Sequence, residues 1–291
     1  MALAPQPISL PARRSVRLLA GAEWWHLLSL DAPTVATLWA WSFARVLHVT
    51  LTPDCLLLLF LGTWLLYVSD RILDGFHQDS ARLRERHFFY MRHRAAAIRV
   101  AIPVSILLAW LVCAHMLPSA RRADLLIFAV AVAYFCLVHL RGARIERWFP
   151  KELIVALVFA AATAVLTWSR ITEDRVELAL LAALFAALCW LNCIAIEKWE
   201  RTSRIAPQID TLTRWGQHHL RLLSAAITAA ALFAGALLLH AALIPSASLC
   251  LAAALSAVLF IVLDRSSFSA HHLRIAADAA LLTPLLVLFL R

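Results

Sequence analysis

Along most of this chain, stretches of about 20 residues pass with hardly a charge, and each is followed by a short segment that often carries arginine. A helix of that length and apolarity can cross the hydrocarbon of a bilayer, because all its backbone polar groups are bonded within the segment. Such runs fall at roughly Pro33–Leu51, Asp54–Tyr67, Ala96–Leu117, Ala123–Leu140, Glu152–Trp168, Val176–Ile196, Leu220–His240, Pro245–Leu263 and Leu273–Leu290. They predict an all-α polytopic membrane protein, a bundle of about nine transmembrane helices. Charged residues make up 15% of the chain, against roughly 25% in a soluble domain, so little is left over for a separate aqueous domain.

Residues 1–28 read as a cytoplasmic leader with an interfacial segment, and residues 29–291 as a single transmembrane domain without a linker long enough to divide it. The leader carries Arg13, Arg14 and Arg17 but no continuous apolar core ahead of a small-residue cleavage site, so a cleaved signal peptide is not expected. Trp24 to Leu28 looks like an amphipathic lead-in at the interface, where tryptophan is favoured. With the N-terminus inside, all of the 27 basic residues except Arg45, Arg121, Arg122, Arg170, Arg175 and Arg291 fall on the inner side. That is the bias of cytoplasmic loops, and it predicts a bacterial inner-membrane protein with its C-terminus outside. Topology therefore accounts for the net charge of +9, and nucleic acid is not an expected partner. The six cysteines lie almost entirely within apolar runs and form no CxxC pair, which speaks against a zinc site or a disulfide framework.

The chemistry concentrates in LGTWLLYVSDRILDGFHQDSARLRERHFFYMRHR, Leu61 to Arg94. Asp70 and Asp74 are four apart at the end of an apolar run, on one helical face, with β-carbons about 5 to 6 Å apart. That spacing suits a shared cation. A second acidic group, Glu197 and Glu200, closes the sixth run in LNCIAIEKWER, with Asn192 about 140° round the helix from Glu197. Both groups lie at inner ends of spans, so they could face each other and hold Mg²⁺, which takes one or two carboxylates, water and substrate phosphate without a full protein cage. Arg86, Arg92 and Arg94 are available to phosphate oxygens. Tyr67, Trp64 and Trp199 offer ring electrons to a developing cation.

With nine spans and acidic groups after the second and sixth, the chain resembles the UbiA superfamily of intramembrane prenyltransferases, whose first motif has the form NDxxDxxxD. LYVSDRILD matches the last two aspartates of that motif as Asp70 and Asp74, with Arg71 following the first; Leu66 and Tyr67 stand where the family has Asn and Asp. Asn192, Glu197 and Glu200 stand where its second motif usually has aspartates, and FPKELIVALVFAAATA looks like the entry to its fifth helix. The resemblance implies transfer of an isoprenoid chain from an allylic diphosphate to an aromatic or other lipophilic acceptor. Mg²⁺ would lie at Asp70 and Asp74 and, at a second site, at Glu197 and Glu200. Substrate contacts would come from Tyr67, Arg71, Arg86, Arg92, Lys151 and Asn192, with Tyr67 lining the cavity in place of the missing aspartate.

Other readings accompany this one. Asp70, Asp74, Glu197 and Glu200 are also what a solvated helix end looks like, and the arginines of RERHFFYMRHR suit anionic lipid. A family-like bundle that binds lipid or a partner without catalysis is therefore one alternative. Asp278 lies inside the ninth run, where an ionisable group is costly unless paired, and Arg274 four residues earlier could reach it; Arg45 and His48 raise the same question in the first run. A polar cavity built from such groups would also fit a small-solute transporter. The chain lacks the internal repeat and the matched Gly- or Pro-interrupted spans that transporters often show.

Overall fold

The structure is a computed structural model, and it describes residues 21–77, 85–115, 118, 121–122, 125–127, 129–130, 150–201 and 210–288. Numbered in chain order, the helices are α1 (21–27), α2 (Asp31–Val46), α3 (Pro53–His77), α4 (Glu85–Arg92), α5 (Arg94–His115) and α6 (Lys151–Trp168). They continue with α7 (Arg175–Arg201), α8 (Thr211–His218), α9 (Leu220–His240), α10 (Ile244–Leu263), α11 (Ala270–Ala280) and α12 (Pro284–Leu288). No strand occurs among the described residues. Six of these helices, α3, α5, α6, α7, α9 and α10, are long and apolar enough to cross a membrane, so the chain is a polytopic helical membrane protein.

The bundle is built around α2 and α7. Helix α7 packs against α6, α8, α9, α10 and α11, while α2 packs against α3, α6, α10, α11 and α12. Their contact is aromatic: Trp39 of α2 stacks on Phe185 of α7 at 4.5 Å between ring centroids, and Phe43 meets the same ring edge-on at 6.0 Å. Small residues let other pairs approach closely, as expected where lipid offers no hydrophobic driving force between helices. A β-carbon added to Gly235 of α9 would lie 3.3 Å from Cβ of Cys250 on α10. Helix α5 is peripheral, with Val100, Ile102, Ile106 and Trp110 exposed and Leu111 turned inward.

Three of the expected spans differ from the six. The first ends at Val46 and not near Leu51, because the chain turns there: His48 adopts a left-handed backbone (φ 55°), and the amide of Val49 reaches back to the carbonyl of Ala44 at 2.7 Å. The ninth is broken into α11 and α12 at Pro284. Proline has no N–H to give the carbonyl of Ala280; Ser256 Oγ of α10 donates to that carbonyl instead, at 2.8 Å. Trp39 Nε1 donates to the next carbonyl, Leu281, at 2.8 Å, and Thr283 Oγ1 donates to the carbonyl of Ala252 at 2.7 Å. Neighbouring helices thus satisfy backbone that a break inside the bundle would otherwise strand. Most of the fourth expected span, 123–140, lies outside the described residues.

Candidate functional site

Helix α1 docks on the bundle, so the end of the leader joins the domain that follows it. The turn after α1 reverses through Ser29, which is buried and left-handed (φ 56°). This reversal folds His26 back onto the first turn of α2, and its Nδ1 lies 2.8 Å from Oδ2 of Asp31. Trp64 of α3 donates Nε1 to the carbonyl of Leu28 at 3.0 Å, and Phe89 of α4 meets Trp24 edge-on at 6.2 Å. Segment 21–30 is thereby held against α3 and α4.

His26 belongs to a cluster drawn from four parts of the chain. Its members are His26, Asp31 at the start of α2, Asn192 in α7 and Asp278 in α11. Asn192 Nδ2 donates to Oδ1 of Asp278 at 2.9 Å, and Asp278 Oδ2 is 4.0 Å from His26 Nδ1. His26 and Asp31 keep only 3% and 6% of their surface. Burial is the largest influence on His26 and pulls its imidazole below the ordinary 6.5, against the opposing hydrogen bond and charge of Asp31. Tyr67 of α3 lies within electrostatic reach of Asp31, Asp278, Arg71 and Cys193. Arg71, 6% exposed, places its guanidinium 5.7 Å from the Tyr67 ring centre, and its Nε is buried with no hydrogen-bond partner.

The residues singled out in the sequence fall around this cluster unevenly. Asp70 Oδ2 accepts from the guanidinium of its neighbour Arg71 at 3.2 Å. Glu200 accepts from Arg274 at 2.5 Å, so Arg274 bonds across to α7 while its charge also acts on Asp278 one turn along its own helix. Asp278 accepts a hydrogen bond from Asn192. Glu197 is half-buried and acts electrostatically on Cys193, as does Lys151, which is exposed in the first turn of α6. Arg92 is exposed on α4. The side chains of Asp74 and Arg86 lie outside the described residues. Among those that are described, the group of three potential metal ligands close enough for one ion is His26, Asp31 and Asp278; Asp70, Glu197 and Glu200 are not in it.

His26 and Asp31 carry no local motif in the sequence, and only the chain reversal at Ser29 pairs them. The signal available beforehand was cost. Asp278 sits in an apolar run and Asp31 at the head of another, so each needs a partner supplied by the fold.

A second polar knot lies at the ends of α7, α9 and α10. Asp264, just past α10, accepts from Lys198 at 2.7 Å, from Trp199 Nε1 at 3.1 Å and from Arg221 Nε at 2.7 Å, its side chain 3% exposed. Burial pushes Asp264 up, but these three donors outweigh it and hold the carboxyl below its ordinary 3.8. Trp199 and Lys198 are thus committed to a tie between helices.

No family model, no curated protein and no solved structure matches the chain.

Proposed function

We propose that the protein is an intramembrane transferase of the UbiA prenyltransferase kind, moving an isoprenoid chain from an allylic diphosphate to an aromatic or lipophilic acceptor. The observation that carries the reading is Arg71. A buried guanidinium with an orphaned donor is costly in an apolar bundle and is relieved by an anion with several acceptor oxygens, which a diphosphate supplies. The isoprenoid tail then lies between the apolar helices, with Tyr67 beside it. Lys151, Arg92 and Arg86 serve the headgroup, and Asn192 orients the acceptor side of the chamber.

Mg²⁺ belongs to this proposal at Asp70 and Asp74, with Glu197 and Glu200 as a second site. The side chain of Asp70 is 35% exposed, which suits an ion held by one or two carboxylates, water and substrate phosphate. Bound there, the ion would neutralise charge on the departing diphosphate. The full proposed fold has nine crossings, with α2, the segment 123–140 and the α11–α12 pair joining the six long helices. The N-terminus lies inside and the C-terminus outside, in a bacterial inner membrane.

The experiment is to purify the protein in detergent, supply a panel of allylic diphosphates with Mg²⁺ and aromatic acceptors, and follow diphosphate release. Release that Asp70→Asn, Asp74→Asn or Arg71→Gln abolishes supports the transferase. No release and no Mg²⁺-dependent binding of any diphosphate overturns it. Asp278 beside His26 in the bundle favours one second reading, coupling of a small solute to proton movement; vectorial uptake into proteoliposomes would select it.

A further inference from the structure

We propose that His26, Asp31 and Asp278, supported by Asn192, bind one divalent first-row transition cation, of which Zn²⁺ and Mn²⁺ are the test members. This site is distinct from the Mg²⁺ positions of the transferase reading, and none of its three ligands belongs to that set.

Geometry comes first. One nitrogen of His26 and one carboxylate oxygen from each aspartate lie within 4.8 Å of one another. The imidazole nitrogen is 2.8 Å from Asp31 Oδ2 and 4.0 Å from Asp278 Oδ2. Metal–ligand bonds of about 2.0 to 2.2 Å put adjacent ligands about 3 Å apart and opposite ones about 4 Å apart, so an ion can sit among these atoms after small side-chain shifts.

Charge is the second ground. A carboxylate oxygen of Asp31 and one of Asp278 lie within 4.8 Å of each other. Two carboxylates brought this close inside a bundle repel each other, and a cation between them relieves that repulsion. Two arginines act on the cluster, but each is also bonded to another acid, Arg71 to Asp70 and Arg274 to Glu200.

A third, independent observation is Asn192. Its Nδ2 already serves Asp278, while its Oδ1 is sealed from solvent and accepts no hydrogen bond. An orphaned carbonyl oxygen on the amide that holds Asp278 is accounted for by a cation or by water bound to one. Asn192 then acts as a positioning residue for Asp278.

The donor set decides the class of ion. One imidazole with two carboxylates suits Mn²⁺, Fe²⁺ or Zn²⁺ better than Mg²⁺ or Ca²⁺, which prefer oxygen alone.

The test uses full-length protein in detergent, stripped with chelator and freed of any polyhistidine tag. Zn²⁺ and Mn²⁺ are titrated separately and bound metal is counted by mass spectrometry; Co²⁺ reports coordination by its visible absorption. The expected result is one ion per chain, with absorption bands for the Co²⁺ form. Affinity should fall at least about tenfold in His26→Ala and Asp278→Asn and about 10- to 100-fold in Asn192→Ala, and be unchanged in Asp70→Asn and Glu197→Gln. Folding is checked by gel filtration and circular dichroism. Wild-type protein that binds less than a tenth of an ion per chain overturns the proposal without recourse to any variant, and leaves the aspartates to share a proton. Binding that survives in folded His26→Ala and Asp278→Asn also overturns it. Loss of binding in Asp70→Asn alone would instead place the ion at the transferase site. Failure of diphosphate release with this binding intact would reject the transferase and keep the metal site.

Discussion

Asn192 Nδ2 lies 2.9 Å from Oδ1 of Asp278, a hydrogen bond that joins α7 to α11 across 86 residues of sequence. It gives an ionisable group buried in the bundle a partner from another helix, and in doing so fixes where α11 sits.

Replacing either member should separate two effects. Asp278→Ala leaves the Asn192 amide without its acceptor and is expected to cost about 1 to 3 kcal/mol. Asp278→Asn keeps the shape and an acceptor, and should cost less than half as much. Thermal unfolding in detergent measures the difference; equal losses would mean that the bond contributes nothing to stability.

Trp39 joins three elements at once, stacking on Phe185 of α7 while its Nε1 serves the carbonyl of Leu281 at the break before α12. Trp39→Phe removes the donor and keeps most of the apolar contact, so it should cost about 1 to 2 kcal/mol. Trp39→Ala adds a cavity and should cost about 3 to 5 kcal/mol. Proteolysis near residues 281–284 should rise in both variants, because each leaves that carbonyl unbonded.

Gly235 tests the close approach of α9 and α10. The Cβ of Cys250, 3.3 Å from where a new β-carbon would stand, cannot rotate aside. Gly235→Leu is therefore expected to push the helices apart and cost about 1 to 3 kcal/mol. Labelling of Cys250 by a membrane-permeant maleimide, slow in the wild type, should become faster.

Asp264 makes the fold acid-sensitive at the junction of α7, α9 and α10. Its folded-state carboxyl titrates below the ordinary 3.8, so the stabilisation is present above that value and is lost as pH falls through the lower folded-state value. Asp264→Asn should remove this part of the acid response. At neutral pH it should cost about 1 to 3 kcal/mol, since Lys198 and Arg221 are partly exposed and can be solvated in its absence. Unfolding midpoints of the two proteins that run parallel from pH 6 to pH 3 would contradict it.

What the sequence by itself determined is the class of fold and the material of the membrane: long apolar runs must be helices, because only a helix satisfies its own backbone in lipid. It also marked Asp278 as a residue in need of a partner. It did not reveal that the ninth run breaks at Pro284, since the break is tolerated only because Ser256 and Trp39, remote in sequence, reach the stranded carbonyls. Nor did it pair His26 with Asp31 and Asp278. Helical spacing relates residues three or four apart on one helix, whereas this cluster depends on a chain reversal at Ser29 and on four segments meeting. That meeting is settled by packing, and packing is a property of the whole chain at once.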